Sequence, residues 1–176
     1  VLTMFIASEE SGQKATRFLL SGNADGAIVV SHHDSDSFID RMDATVPVVF
    51  GGRPGPGHNH HHSVDVDNVG GARSATEHLL RTGRRRVATI TGPADMPVSI
   101  DRLAGYRIAL DAAGVASAAV EDGDFSFDGA LSAMRRILSR PERPDAVFVQ
   151  SDLMARGALA AMAENRLRAP DDIAIV

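Results

Sequence analysis

Three apolar runs in this chain are followed by polar residues able to bind a small molecule, and their types say what kind. Asp67 follows Ser63–Val66, Arg102 follows the run Arg86–Thr91 after a Gly-Pro loop, and Ser151 and Asp152 follow Asp145–Gln150. A carboxylate accepts hydrogen bonds, and a planar guanidinium donates two parallel ones to neighbouring hydroxyls or to a carboxylate. If the runs are parallel strands, these groups share the carboxyl edge of a sheet, where open α/β sheets bind ligands. Each also has a plainer role: Asp67 and Ser151 as helix N-caps, Arg102 in a salt bridge with Asp101 or Asp95. A basic side chain fits poorly near a positive helix N-terminus, which favours a purpose for Arg102 beyond solvation. Phe125, after Gly123-Asp124, is either a core or interface aromatic or a flat platform for a sugar ring or a base.

Other chemistry is excluded or unsupported. The chain has no cysteine, so it forms neither disulfides nor thiolate metal sites. His58, His60, His61 and His62 lie in a Gly/Pro-rich stretch that supplies donors without the fixed geometry zinc needs, so a surface loop is expected and no metal. The glycines of 51–57 lack the spacing of a dinucleotide or phosphate loop, and no cofactor is expected. With no H-E-x-x-H helix and no G-x-S-x-G elbow, no catalytic residue is assigned and an enzyme is not expected. A net charge of -5 argues against this segment itself being a nucleic-acid surface. No apolar run approaches the roughly 18 residues of a membrane span.

The elements that position these groups alternate. Apolar, strand-like runs cover 1–7, 27–30, 46–50, 63–66, 86–91, 118–123, 145–150 and 173–176. Helical spacing covers the stretch ending at Gly22 and then 35–42, 68–81, 99–114, 128–140 and 153–166. Such alternation implies an α/β fold of parallel βαβ units with right-handed crossovers. The 176 residues suit one domain or two small lobes. The basic turn from Thr82 to Arg85 marks the expected boundary, giving an N-terminal lobe of 1–83 and a C-terminal lobe of 84–176.

Strings along nearly the whole chain resemble, in order, the effector-binding core of lactose/galactose-repressor-type bacterial transcription regulators. They are D-G-A-I-V from Asp25, V-P-V-V from Val46, V-D-V-D-N from Val64, and H-L-L-R-T-G-R-R-R-V-A-T-I-T-G from His78. R-L-A-G-Y from Arg102, G-D-F from Gly123, P-D-A-V-F from Pro144, D-L-M-A-R-G-A from Asp152 and A-P-D-D-I-A-I-V from Ala169 follow. The resemblance implies a periplasmic-binding-protein-like fold: two lobes of parallel β-sheet flanked by helices, with a ligand in the cleft and a hinge that responds to it. It implies a cytoplasmic homodimer that binds operator DNA through an N-terminal helix-turn-helix, which this chain is expected to lack. The first core strand and helix and the segment beyond Val176 are expected to be missing too. By position, Asp67, Arg102 and Asp152 match residues of the family's effector cleft, and Phe125 matches an aromatic that can stack on the ligand. Ser151 stands where the family commonly has Asn, and Arg84 where it often has His; Met96 and Val98 replace residues that are often polar. The implied effector is a small molecule, a sugar ahead of a nucleobase. The rival with the same fold is a secreted sugar-binding protein of a transport system.

Overall fold

In the computed structural model, residues 9–30, 33, 39, 46–58 and 60–176 are described. They fall into two compact units, 1–66 with 95–97, and 67–94 with 98–176.

In the first unit, helix α1 (Glu9–Leu20) precedes strands β1 (Ala27–Val30), β2 (Val48–Gly51) and β3 (His62–Val64), which pair in parallel in that order. Alternation along β1 and β2 turns Val29, Val48 and Phe50 inward, where Leu19 and Ile39 join them. The strand expected over 1–7 and the helix expected over 35–42 lie outside the described residues, apart from Ile39. His58 is not on the surface as expected: it closes a short 3-10 turn and is buried with its ring stacked on Phe50, centroids 5.8 Å apart. Among the described residues, no group of three or more His, Cys, Asp or Glu is placed to hold a metal ion.

The second unit carries strands β4 (Val87–Thr91), β5 (Ala119–Asp122), β6 (Ala146–Val149) and β7 (Ala174–Ile175), all parallel, in the order β5-β4-β6-β7. Its helices are α2 (Asn68–Arg81), α3 (Pro97–Ala112), α4 (Phe127–Leu138) and α5 (Asp152–Glu164). Every residue of β4 and β6 is buried, as in a parallel sheet covered on both faces. On one side, α2 and α3 bury Leu79, Tyr106, Ala109 and Leu110 with Val87 and Phe148. On the other, α4 and α5 bury Met134, Ile137, Met154 and Met162 with Ile90 and Val147. Tyr106 is wholly buried; its hydroxyl donates to the Val87 carbonyl at 2.7 Å and meets the Ser117 hydroxyl at 2.8 Å. Burial pushes its phenol pKa up, against the Ser117 contact, so the donor stays protonated.

The units part after Val66, ahead of the boundary expected at Gly83. Hydrophobic burial decides this: Ala72, Leu79 and Leu80 place α2 in the core of the second sheet. Asp67 and Arg102 therefore stand in one unit rather than in two lobes. The basic turn has its own local account. The backbone N–H groups of Arg85 and Arg86 donate to the Asp145 carboxylate, and Arg84 and Arg86 side chains donate to the carbonyls of Pro170 and Arg143. His78 and Ile108, which fall at helical spacing with or beside the apolar residues of α2 and α3, are exposed.

Glu121 supplies a pH-dependent contribution to this unit. It is bracketed by Arg136 at 2.7 Å and Arg140 at 2.9 Å, with only 15% of its side chain exposed. Burial alone would raise its pKa, but the two guanidiniums prevail and hold it below its ordinary 4.5. A depressed carboxylate stabilises the fold above its unfolded pKa and loses that contribution as pH falls through the folded value. Glu121→Gln is expected to cost about 1 kcal/mol at pH 7 and progressively less below about pH 4.5. Urea unfolding of both proteins across that range checks this; a cost that persists unchanged at low pH would refute the ion-pair account.

Candidate functional site

The order β5-β4-β6-β7 reverses direction between β4 and β6: β4 leads through α3 to β5 on one side, and β6 leads through α5 to β7 on the other. In open parallel sheets the helices that follow such a reversal diverge, and ligands bind outside the carboxyl ends of the two strands. The candidate groups gather at this point for reasons that are local in each case.

Asp67 caps α2, its carboxylate accepting the Gly70 N–H at 2.7 Å, and is exposed. Ser151 caps α5, its hydroxyl accepting the Met154 N–H at 3.3 Å. Asp152 is the first residue of that helix and is exposed. Both caps confirm the plain reading of these positions, which a ligand role does not exclude.

Arg102 lies in the second turn of α3, half buried. Its Nε donates to Asn68 Oδ1 at 2.9 Å, and its Nη1 donates to the Gln150 carbonyl at 2.5 Å. Asn68 is the neighbour of Asp67, and Gln150 the neighbour of Ser151. One guanidinium thus joins the start of α2 to the end of β6 and brings Asp67, Arg102, Ser151 and Asp152 to a common edge. The close approach of α2 is set by Gly105, where a methyl group would overlap the Val69 carbonyl and lie 2.9 Å from the Ala72 Cβ.

Phe125 reaches the same edge from β5. The turn after that strand is tied by the Asp124 N–H donating to Asp122 Oδ1 and the Ser126 N–H donating to the Gly123 carbonyl. Within it, Asp124 and Phe125 adopt left-handed φ values of 53° and 46°. Such a backbone is unusual for a bulky residue and is held only where its surroundings demand it. The ring is set over Gly92, just past β4, so that a methyl group there would overlap it. The same point is 2.5 Å from Ser99 Oγ, a buried hydroxyl that makes no hydrogen bond to another residue.

Two residues of the site were not singled out from sequence. Asn68, 7% exposed, and Gln150, 3% exposed, are buried polar residues. The signal for Gln150 was present, since it is the one polar residue ending the run A-V-F-V-Q; Asn68 was hidden beside the more conspicuous Asp67. Met96, 5% exposed, is packed away from solvent. Hydrogen-bonding groups and one partly buried aromatic ring, itself packed against the core of this unit, therefore lie at this edge, a combination suited to a polyhydroxyl ligand with one apolar face.

The periplasmic binding protein-like domain matches residues 76–176. The HTH-type transcriptional regulator CelR of Thermobifida fusca is 43% identical over 178 residues, covering 97% of this chain and 52% of that protein. The ribose operon repressor of Escherichia coli K12 is 34% identical over 163 residues, covering 90% of this chain and 49% of the repressor. The solved transcriptional regulator CelR–cellobiose complex has a TM-score of 0.85 at 40% identity, covering 96% of this chain and 53% of that one. The chain spans about half the length of the curated relatives it matches.

Proposed function

Because the chain belongs to the periplasmic binding protein-like domain family, in the form carried by lactose/galactose-repressor-type transcription regulators, we propose that it is the effector-sensing core of a sugar-responsive repressor. The observation that carries this reading is the convergence of Arg102, Asp67, Ser151, Asp152 and Phe125 on the β4–β6 edge, in a chain 43% identical to a regulator over nearly its whole length. In this reading Arg102 donates to vicinal hydroxyls, Asp67 and Asp152 accept from them, Ser151 contributes a hydroxyl, and Phe125 covers the apolar face of the ring. Operator DNA is held elsewhere in the protein, by a helix-turn-helix headpiece, and the regulator works as a homodimer in the cytoplasm. Among the described residues no helix is long and apolar enough to cross a membrane. No chemical step is involved, and no catalytic residue is assigned.

The mechanism is a population shift. An effector that binds one state of the core more tightly than the other moves the equilibrium by that difference in affinity and by no more. By linkage, operator binding changes effector affinity by the same factor as effector binding changes operator affinity. Since a CelR structure is a complex with cellobiose, the first sugar to test is cellobiose, followed by other disaccharides, monosaccharides and nucleosides. The full-length protein is expected to melt at a higher temperature with a sugar from this series, by the equivalent of about 2.7 kcal/mol at a hundredfold excess over Kd. The same sugar is expected to change retention of an operator fragment. A shift with nucleosides alone would replace the sugar reading with the nucleobase one, and a sugar shift with no effect on DNA would favour a transport-type binding protein.

A further inference from the structure

Gln150 is an amide buried just past the carboxyl end of β6, beside β4, and every polar group it carries is engaged. Its backbone N–H donates to the Ile90 carbonyl at 3.1 Å, continuing the β4–β6 ladder by one residue. Its side-chain Oε1 accepts the Gly92 N–H at 3.1 Å, and its Nε2 donates to the Ser99 carbonyl at 3.2 Å. Its own carbonyl accepts Arg102 Nη1. Ser99 and Arg102 are three residues apart on α3, on adjacent turns of one face. The side chain of Gln150 therefore fixes where the first turn of α3 sits against the sheet, while its carbonyl receives the guanidinium from the next turn. Asn68 completes the hold by accepting from Arg102 Nε.

An apolar residue after A-V-F-V would pack there as well but would strip the Gly92 N–H and the Ser99 carbonyl of this partner in a buried place. That accounts for a polar residue but not for its alignment with Arg102. A guanidinium on a free side chain loses rotamer freedom when it binds, and one already held in place loses less. Resting on the sugar-site reading above, we propose that Gln150 is a positioning residue. Through its amide bridge from Gly92 to Ser99 it presets the Arg102 guanidinium for the ligand, touching no ligand itself.

The test uses the full-length protein, labelled with ¹⁵N, and two independent readings. The side-chain signals of Arg102, identified by their loss in Arg102→Lys, report its restraint without any ligand. Gln150→Met keeps length and removes both amide hydrogen bonds. It is expected to collapse the separate Nη–H signals of Arg102 into averaged ones and to weaken cellobiose binding in calorimetry by about tenfold. Added to Arg102→Ala, it is expected to weaken binding no further, since its effect passes through that residue. If the Arg102 signals in Gln150→Met match those of the wild type, the positioning role is overturned whatever the affinity does. If they collapse while the wild type takes up no cellobiose, the positioning role stands and the cellobiose reading falls. Should the Met variant fail to fold, Gln150→Glu gives the same reading, because it keeps the acceptor for Gly92 and removes the donor to Ser99.

Discussion

Arg102→Ala is expected to weaken sugar binding by the full-length protein by about a hundredfold. Truncating a half-buried, hydrogen-bonded cation that also contacts ligand costs about 3 kcal/mol, on the order of a hundredfold in Kd. The ligand-induced rise in melting temperature should fall sharply at concentrations that saturate the wild type. The same truncation releases Asn68 Oδ1 and the Gln150 carbonyl from their shared partner, so the unliganded protein should also melt somewhat lower. Arg102→Lys separates the two effects. It keeps the charge but not the planar fork, and is expected to recover part of the stability while binding sugar at least tenfold, roughly, more weakly than wild type. If Arg102→Ala binds sugar as the wild type does, the ligand lies elsewhere and the site is wrong.

Gly105→Ala is expected to destabilise the second unit strongly. Within an ordinary helix the change would gain up to about 1 kcal/mol from propensity. Here the added Cβ would overlap the Val69 carbonyl and lie 2.9 Å from both the Ala72 Cβ and the Arg73 nitrogen. Backbone cannot step aside as a flexible side chain does, so α2 must retreat from α3, at a net cost of about 3 kcal/mol. The retreat carries Asn68 away from Arg102 Nε, and sugar affinity should fall with stability. Gly71→Ala is the control: it lies in α2 with nothing within 4 Å of the new methyl, and should be neutral or stabilising by up to about 1 kcal/mol. Denaturant midpoints of the three proteins decide the matter; a Gly105→Ala protein as stable as the wild type would mean that the helices do not cross this closely.

The repressor-like strings and the carboxyl ends of the apolar runs mark the same residues, Asp67, Arg102 and Asp152. The strands at 119–122 and 174–175, the first of them weakly patterned, lie within the stretches 118–123 and 173–176 marked by their apolar runs. Spacing alone does not separate one face of a helix from its flank, as at the exposed Ile108, because α3 is apolar on more than one side and only its neighbours say which side is covered. It failed at His58 because a histidine beside glycines and prolines reads as solvated until Phe50 is known to lie against it.

What the sequence determined alone was everything carried by neighbours in the chain. The apolar periods set the order of strands and helices. Asp67 and Ser151 acquired their caps from N–H groups three residues away. Ser151 and Asp152 fall at the carboxyl end of β6, beside that of β4, because these strands are parallel; the run before Asp67 ends in β3 of the other sheet, and its place beside Arg102 comes from α2. Tertiary structure alone decided which of those groups touch. Arg102 meets Asn68 across 34 residues and Gln150 across 48. Those contacts require β4 to lie beside β6 rather than only beside β5, and α2 to cross α3 at a residue without a side chain. The assignment of α2 to the second unit was settled in the same way, by apolar surface buried against Val87 and Tyr106 rather than by the basic turn that follows it. Spacing along a chain records local geometry; strand order and helix crossing are fixed by which buried surfaces fit together, and those surfaces come from residues far apart in sequence.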